Sequence, residues 1–485
     1  MSKNGLNDGV GQTNFKIGWQ LTWPFFLGAI LFFFWTKGHP FFWDTVLLAS
    51  KHAHFYYENS FPSLLLPLEI DAGHPPFFGL YLALWWLIFS KSLWVSHLAM
   101  LPIILGIVWQ VYRLCRFAFP DSSMICWAML LLITDATLLA QCSMVSPDVV
   151  LVFATLLGIN SILYGQNHYL ILATILLALT SIRGLFALPA LYLLHLLYFY
   201  FRTSRIGWRD LWQSAFLFIP VTMVVLAYYT FHYWGTGWWI STPNEGWSAH
   251  RDLTSFSGVL RNAGILFWRL IDFGRLGFWL VLPFLLGTML GAFLKKDLRM
   301  KVLVLIPFLL LFFLAPSLLL IQNPIGHRYL MPVMLGFALL VVYTIEQKKG
   351  WKKIKKGLLW TLLIFQLSGH FWIYPEGIAQ GWDASLAHVP YFDLRQKMID
   401  YLEEENIPLE NIGTEFPNNV ALSLVDLGPS KQAFANKQFS DQSYMFYSTV
   451  FNDFSDEEIA RLQKDWIKVK EFQKNRIKVI LYRKP

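Results

Sequence analysis

Charge is scarce in this chain of 485 residues, with Asp, Glu, Lys and Arg together making up 14%. Soluble globular domains carry about 25%, so a water-exposed multidomain protein is excluded. Cysteine is scarcer still. Cys115, Cys126 and Cys142 all sit in or beside apolar segments, with no disulfide framework and no metal-ligand spacing, which leaves ordinary packing. No small-residue cleavage site follows the first apolar run, and the stretch ahead of it is polar and rich in Gly and Asn. That run is expected to stay as a membrane span rather than leave with a signal peptide.

What is abundant is apolar and aromatic. Hydrophobic residues make up 55% of the chain and aromatic residues 17%, at a mean hydropathy of +0.45. Many runs approach the roughly 20 residues that cross a hydrocarbon layer about 30 Å thick, so a polytopic α-helical membrane protein is expected. The net charge of +8 does not point to nucleic acid, because Lys and Arg cluster in short loops between apolar runs. Lys3 and Lys16 place a tail of residues 1–18 in the cytoplasm. About eleven spans are then read at 19–36, 94–112, 124–140, 149–164, 169–180, 185–201, 211–233, 276–294, 302–321, 329–345 and 357–374. This arrangement puts the basic loops 202–209, 295–301 and 348–356 on one side, as positive-inside topology requires. The short apolar segment 76–90 is taken to lie in or dip into the outer interface.

After a membrane domain of residues 19–375, the composition turns charged and mixed, and 376–485 reads as a small extracytoplasmic α/β domain. Helices are expected at 393–405 and 456–464, and strands at 411–415, 444–450, 467–472 and 477–482. This domain has no Gly-rich phosphate loop and no nucleophile constellation, so a supporting or acceptor-docking role is expected.

The polar residues gather in one place. The outer loop 38–76 holds Asp44, Glu58, Glu69, Asp71, His52, His54 and His74, and Asp148, Arg183, His250, Arg328 and Tyr329 fall at the same face. Each has a plainer reading. Asp44 is also a fitting helix cap, Arg183 and Arg328 suit snorkelling from span ends, and Trp234, Trp238, Trp239 and Trp247 suit an interfacial belt. Asp135, inside a span, fits either structural pairing or substrate binding. Asp71, His74 and His250 could hold a divalent metal.

Five short motifs in order resemble the GT-C superfamily of membrane glycosyltransferases, in particular the branch of protein O-mannosyltransferases and the aminoarabinose transferases that modify lipid A. They are Asp44 early in the first outer loop, His74-Pro75-Pro76 closing it, Pro147-Asp148, Arg183-Gly184, and Arg328-Tyr329-Leu330-Met331-Pro332. The resemblance covers roughly residues 19–345. It implies transfer of a sugar from a polyprenyl-phosphate donor to a protein, lipid or glycan acceptor, at the outer face of the plasma membrane. It also implies Asp44 as base, Asp148 orienting sugar or base, and Arg183, Arg328 and Tyr329 on the donor phosphate. Asp71, His74, Glu69 and His250 would contact substrate. Gly73 departs from the pattern, since some relatives carry Glu there, and the metal site loses a ligand with it. A lipid transporter and a non-catalytic membrane subunit are the competing readings. A transporter would show internal repeats, and none is read in this sequence.

Overall fold

Inside hydrocarbon a backbone has no water to pair with, so apolar runs must satisfy their own N–H and C=O groups as helices. The computed structural model describes residues 11–120, 123–243, 248, 252–295, 297–322, 325–351, 353–375 and 377–485, with side chains from residue 20 onward. Its helices begin with α1 (Gly11–Thr36), α2 (His52–Glu58), α3 (Phe77–Ile88), α4 (Leu93–Ala118), α5 (Met124–Ile133), α6 (Ala136–Cys142), α7 (Pro147–Tyr164) and α8 (Asn167–Thr180). They continue with α9 (Ile182–Thr203), α10 (Trp208–Phe216), α11 (Ile219–Thr236), α12 (Phe256–Ile271), α13 (Leu276–Leu294), α14 (Leu298–Leu319), α15 (Met331–Gln347) and α16 (Lys355–Ser368).

Among the described residues, six helices are long and apolar enough to cross a membrane, or eight if each of two bent pairs counts as one span. The expectation of about eleven also counted shorter apolar helices, such as α8 and the 20–36 part of α1. The expected single span 124–140 is broken: α5 and α6 meet at 62°. Asp135 causes the break by capping α6, its Oδ1 accepting from the N–H groups of Thr137 and Leu138. The expected span 211–233 likewise divides into α10 and α11, bent by 47°. α3, at 12 residues, is about 18 Å long and too short to cross, in keeping with an interfacial helix.

α7 and α15 are the central helices, with most of their side chains buried. α7 packs on α4, α8 and α9, while α14 bridges α9 and α15. α7, α9 and α15 all begin at the same end of the bundle. α9 ends at Arg202 and α15 leads to Lys348, while Arg299 and Lys301 open α14 with Lys301 Nζ 4.9 Å from the Phe201 ring centroid, so the basic clusters collect at the opposite end.

The C-terminal region adds α17 (Pro390–Glu404), α18 (Leu422–Val425) and α19 (Asp456–Asp465) to a mixed five-stranded sheet of order β2-β1-β3-β5-β4. The strands are β1 (Ile412–Thr414), β2 (Ala435–Asn436), β3 (Tyr444–Ser448), β4 (Ile467–Lys474) and β5 (Ile477–Arg483). β1 runs parallel to β2 and β3; β5 runs antiparallel to β3 and β4. Two-residue β2 escaped the sequence reading because it has no alternating pattern to read. The sheet side is seated on the membrane-side loops. Phe42 stacks flat on His388 at 5.0 Å, Phe41 N–H donates to Val425 O at 2.9 Å, and Ser50 Oγ donates to Leu424 O at 2.6 Å.

Candidate active site

The site is built around Arg328, in a single 3-10 turn (His327–Leu330) that leads into α15. Its guanidinium donates to Asp44 Oδ2 through Nη2 and to Asp383 Oδ2 through Nη1, and its Nε stands 3.1 Å from Asp148 Oδ2. Arg183 Nη2 pairs with the other Asp148 oxygen at 2.9 Å. The Tyr329 ring serves both cations, its centroid 4.0 Å from Arg183 Cζ and 5.0 Å from Arg328 Cζ. Three carboxylates thus meet two guanidiniums, mostly out of water.

Local sequence explains why each side chain arrives. Pro147 and Asp148 open α7 behind the cap Ser146, positions where a fixed φ and a negative charge both suit a helix start. Asp44 follows Trp43, whose φ of +50° is uncommon for a residue other than glycine. Phe42 N–H donates to Thr45 Oγ1 at 2.9 Å and Thr45 Oγ1 donates back to Phe42 O at 2.8 Å, which holds this tight corner. A π-helical turn over Val46–Lys51 follows directly. The result leaves Asp44 with 31% of its side chain exposed, against 5% for Asp148 and 12% for Asp383.

Arg183 stands where a helix start disfavours a cation, and Asp148 offsets that placement. His74 anchors the same helix end: its Nδ1 lies 3.1 Å from Ser181 Oγ and accepts from Ile182 N–H at 3.3 Å. Gly184 lets α9 close on α8, since a Cβ there would lie 1.9 Å from the Leu177 carbonyl oxygen. Arg183 Nη1 is buried without a hydrogen-bond partner among the described residues. It borders a cavity whose polar end is Asp148, Arg183, Arg328 and Tyr329, and whose apolar walls include Leu177, Phe186, Leu310, Leu314 and Val333. Apart from these polar residues and Thr155, the lining is apolar.

The same architecture occurs in two crystal structures of ArnT from Cupriavidus metallidurans. The structure in the apo state aligns at a TM-score of 0.55 and 12% identity, covering 96% of this chain and 98% of that one. The structure bound to undecaprenyl phosphate aligns at 0.55 and 12%, covering 94% and 97%. This chain has the ArnT fold. No protein-family model matches the chain, and no curated protein matches it by sequence. The fold is the GT-C fold that the motif order implied, with a small C-terminal sheet.

Within the ArnT fold of this chain, the expected residues divide. Asp44, Asp148, Arg183, Arg328 and Tyr329 come together. Asp71 goes elsewhere: its Oδ2 meets His232 Nε2 at 3.0 Å and its Oδ1 accepts from Gly73 N–H at 2.8 Å. Glu69 is exposed on the turn before it. His74 holds the start of α9 through Nδ1. His250 and Trp247 lie outside the described residues. Among the described residues no three His, Cys, Asp or Glu side chains gather as metal ligands. Gly73 has φ +77°, and a Cβ there would lie 2.3 Å from the Ile240 carbonyl oxygen, so this backbone has no room for the Glu of some relatives.

Asp383 was missed by the sequence reading, which gave residues 376–485 a supporting or acceptor-docking role and no site residue. Burial would raise its carboxyl, but the Arg328 charge and hydrogen bond hold it below the ordinary value. Gln141 Nε2 fixes the Asp383 backbone carbonyl at 2.9 Å. Asp135, left open between two roles, is a structural partner: it pairs with buried Arg275 at 2.8 Å and accepts from Gln366 at 3.2 Å.

Proposed function

We propose that this chain is an integral membrane glycosyltransferase that moves a sugar from a polyprenyl-phosphate donor to an acceptor hydroxyl or phosphate at the outer face of the plasma membrane. The observation that carries the reading is the head-and-tail cavity. Two guanidiniums at converging helix starts suit a phosphate, and apolar walls between α8, α9, α14 and α15 suit the lipid attached to it. The ArnT structure bound to undecaprenyl phosphate supports the same ligand class. The basic clusters at the far end argue that the site faces away from the cytoplasm.

In this reading the bond between the sugar's anomeric carbon and the phosphate oxygen breaks as the acceptor oxygen attacks that carbon. The acceptor's proton passes to Asp44. The phosphate leaves on its lipid, and Arg183 and Arg328 stabilise its growing charge. Asp44 is the most exposed of the three acids on Arg328, so it is the one that an arriving phosphate displaces. Donor binding then frees the base, while Asp148 stays between the two arginines to orient them and the sugar. With Asp44 as the single base and no carboxylate acting as a nucleophile, the transfer is inverting in this reading. The polar groups lie at helix starts at one end of the bundle, which favours this reading over a transporter with a midplane site.

The test is mass spectrometry of cell-envelope lipids, glycans and glycoproteins from cells with the gene, without it, and with the Asp44→Asn form. A sugar modification present only with the wild-type gene is expected, and it names sugar and acceptor together. Identical envelopes in all three strains would overturn the reading.

A further inference from the structure

A second buried charge centre lies against the Arg328 cluster and has no task in the mechanism above. Asp272 follows the end of α12, with 2% of its side chain exposed. Its Oδ2 accepts from His327 Nε2 at 2.9 Å and from the Tyr374 hydroxyl, and its Oδ1 accepts from Phe273 N–H at 2.8 Å. Arg269 Nη1 stands 4.0 Å away. Burying a carboxylate is costly unless it is paired, and an apolar residue would pack here without that cost. A position of this kind calls for a role beyond packing.

The donors to Asp272 come from the two elements that build the Arg328 clamp. His327 immediately precedes Arg328 and is fully buried. Tyr374 belongs to the strap that leaves α16 and carries Asp383 to Arg328. That strap is fastened at several points: Trp268 Nε1 donates to Tyr374 Oη at 2.9 Å, Tyr374 N–H donates to Gln380 Oε1 at 2.7 Å, and Gln380 Nε2 donates to Trp372 O at 3.1 Å. The Tyr374 ring stacks on Phe273 with 4° between planes, and Phe273 meets His327 edge-on at 4.7 Å. One carboxylate therefore ties the backbone that presents the guanidinium to the strap that presents one of its acids.

We propose that Asp272 is a positioning residue that acts through His327 and Tyr374 to set the direction of the Arg328 guanidinium and the reach of Asp383, touching neither donor nor acceptor. The proposal rests on the reading of Arg328 as the donor-phosphate contact. Asp272→Asn keeps the shape but exchanges one acceptor oxygen for a donor. Either Phe273 N–H or the His327 and Tyr374 donors must then lose their acceptor.

The experiment is equilibrium binding of undecaprenyl phosphate to the full-length protein in nanodiscs, with thermal midpoints measured in parallel. Asp272→Asn should weaken binding about tenfold, and Tyr374→Phe should weaken it less, with its thermal midpoint unchanged. In an Arg328→Ala background, Asp272→Asn should add nothing, because its effect passes through that guanidinium. Wild-type affinity in both single variants overturns the proposal, and so does a full additive loss in the Arg328→Ala background. If Asp272→Asn does not fold, Tyr374→Phe and its double with Arg328→Ala decide on the same criteria. Wild-type affinity in Arg328→Ala itself overturns the phosphate reading, and this proposal with it. Loss in Arg328→Ala with none in Asp272→Asn or Tyr374→Phe overturns the positioning role alone.

Discussion

Asp44 is held by the residue that is also proposed to hold the donor phosphate, and this gives its replacement a signed signature. Asp44→Asn should abolish transfer yet leave undecaprenyl phosphate bound as tightly as in wild type or several-fold tighter, since Arg328 loses a competing carboxylate. Binding and single-turnover measurements on the same preparation check it; wild-type turnover would remove Asp44 from the role of base. Asp44, Asp148, Arg183 and Arg328 were legible because each sits in a short motif beside a span end. Asp383, Asp272 and His232 were not. Their partners lie 55, 55 and 161 residues away in sequence, respectively Arg328, His327 and Asp71, and nothing in their spacing marks the pairing. His74 was legible as a marked position but not in its role, because a histidine that anchors a helix start reads like one that binds substrate.

At the scale of elements, the start of α9 depends on two neighbours, His74 from the first loop and Gly184 against α8. Gly184→Ala forces a methyl against the Leu177 carbonyl and must push α9 off α8, carrying Arg183 with it. A loss of thermal stability together with about tenfold weaker donor binding is expected, read by melting and by titration with undecaprenyl phosphate. Unaltered donor affinity would show that Arg183 tolerates the shift. Two buried histidines outside the spans give the first loop and the C-terminal region a pH dependence. Burial pushes His52 and His388 down to about 4, although carbonyl contacts with Ile70 and Ser385 partly oppose it. Unfolding returns each to its ordinary value near 6.5, so the unfolded chain binds more protons between about 6.5 and 4. Stability conferred by these residues is therefore complete above that window and lost as pH falls through it. Hydrogen-exchange protection factors around residues 385–392 should fall between pH 7 and 4.5; protection that is flat over that range would contradict the assignment.

At the scale of the whole molecule, apolar run length and charge placement were enough to read a helical membrane bundle with a small C-terminal sheet. They did not show the breaks at Asp135 and between α10 and α11, because a bent pair and a straight span have the same composition. Nor did they show that the sheet region reaches back, through Phe42 on His388 and Asp383 on Arg328, to complete the site at the membrane boundary. Membrane bundle, first loop and C-terminal strap meet at Arg328, so the account stands or falls on what that residue binds. The decisive measurement is equilibrium binding of undecaprenyl phosphate to the purified protein and to its Arg183→Ala and Arg328→Ala variants. Saturable binding to wild type, weakened at least about tenfold by each substitution, is the predicted result. Absence of saturable binding, or equal affinity in all three proteins, would contradict it.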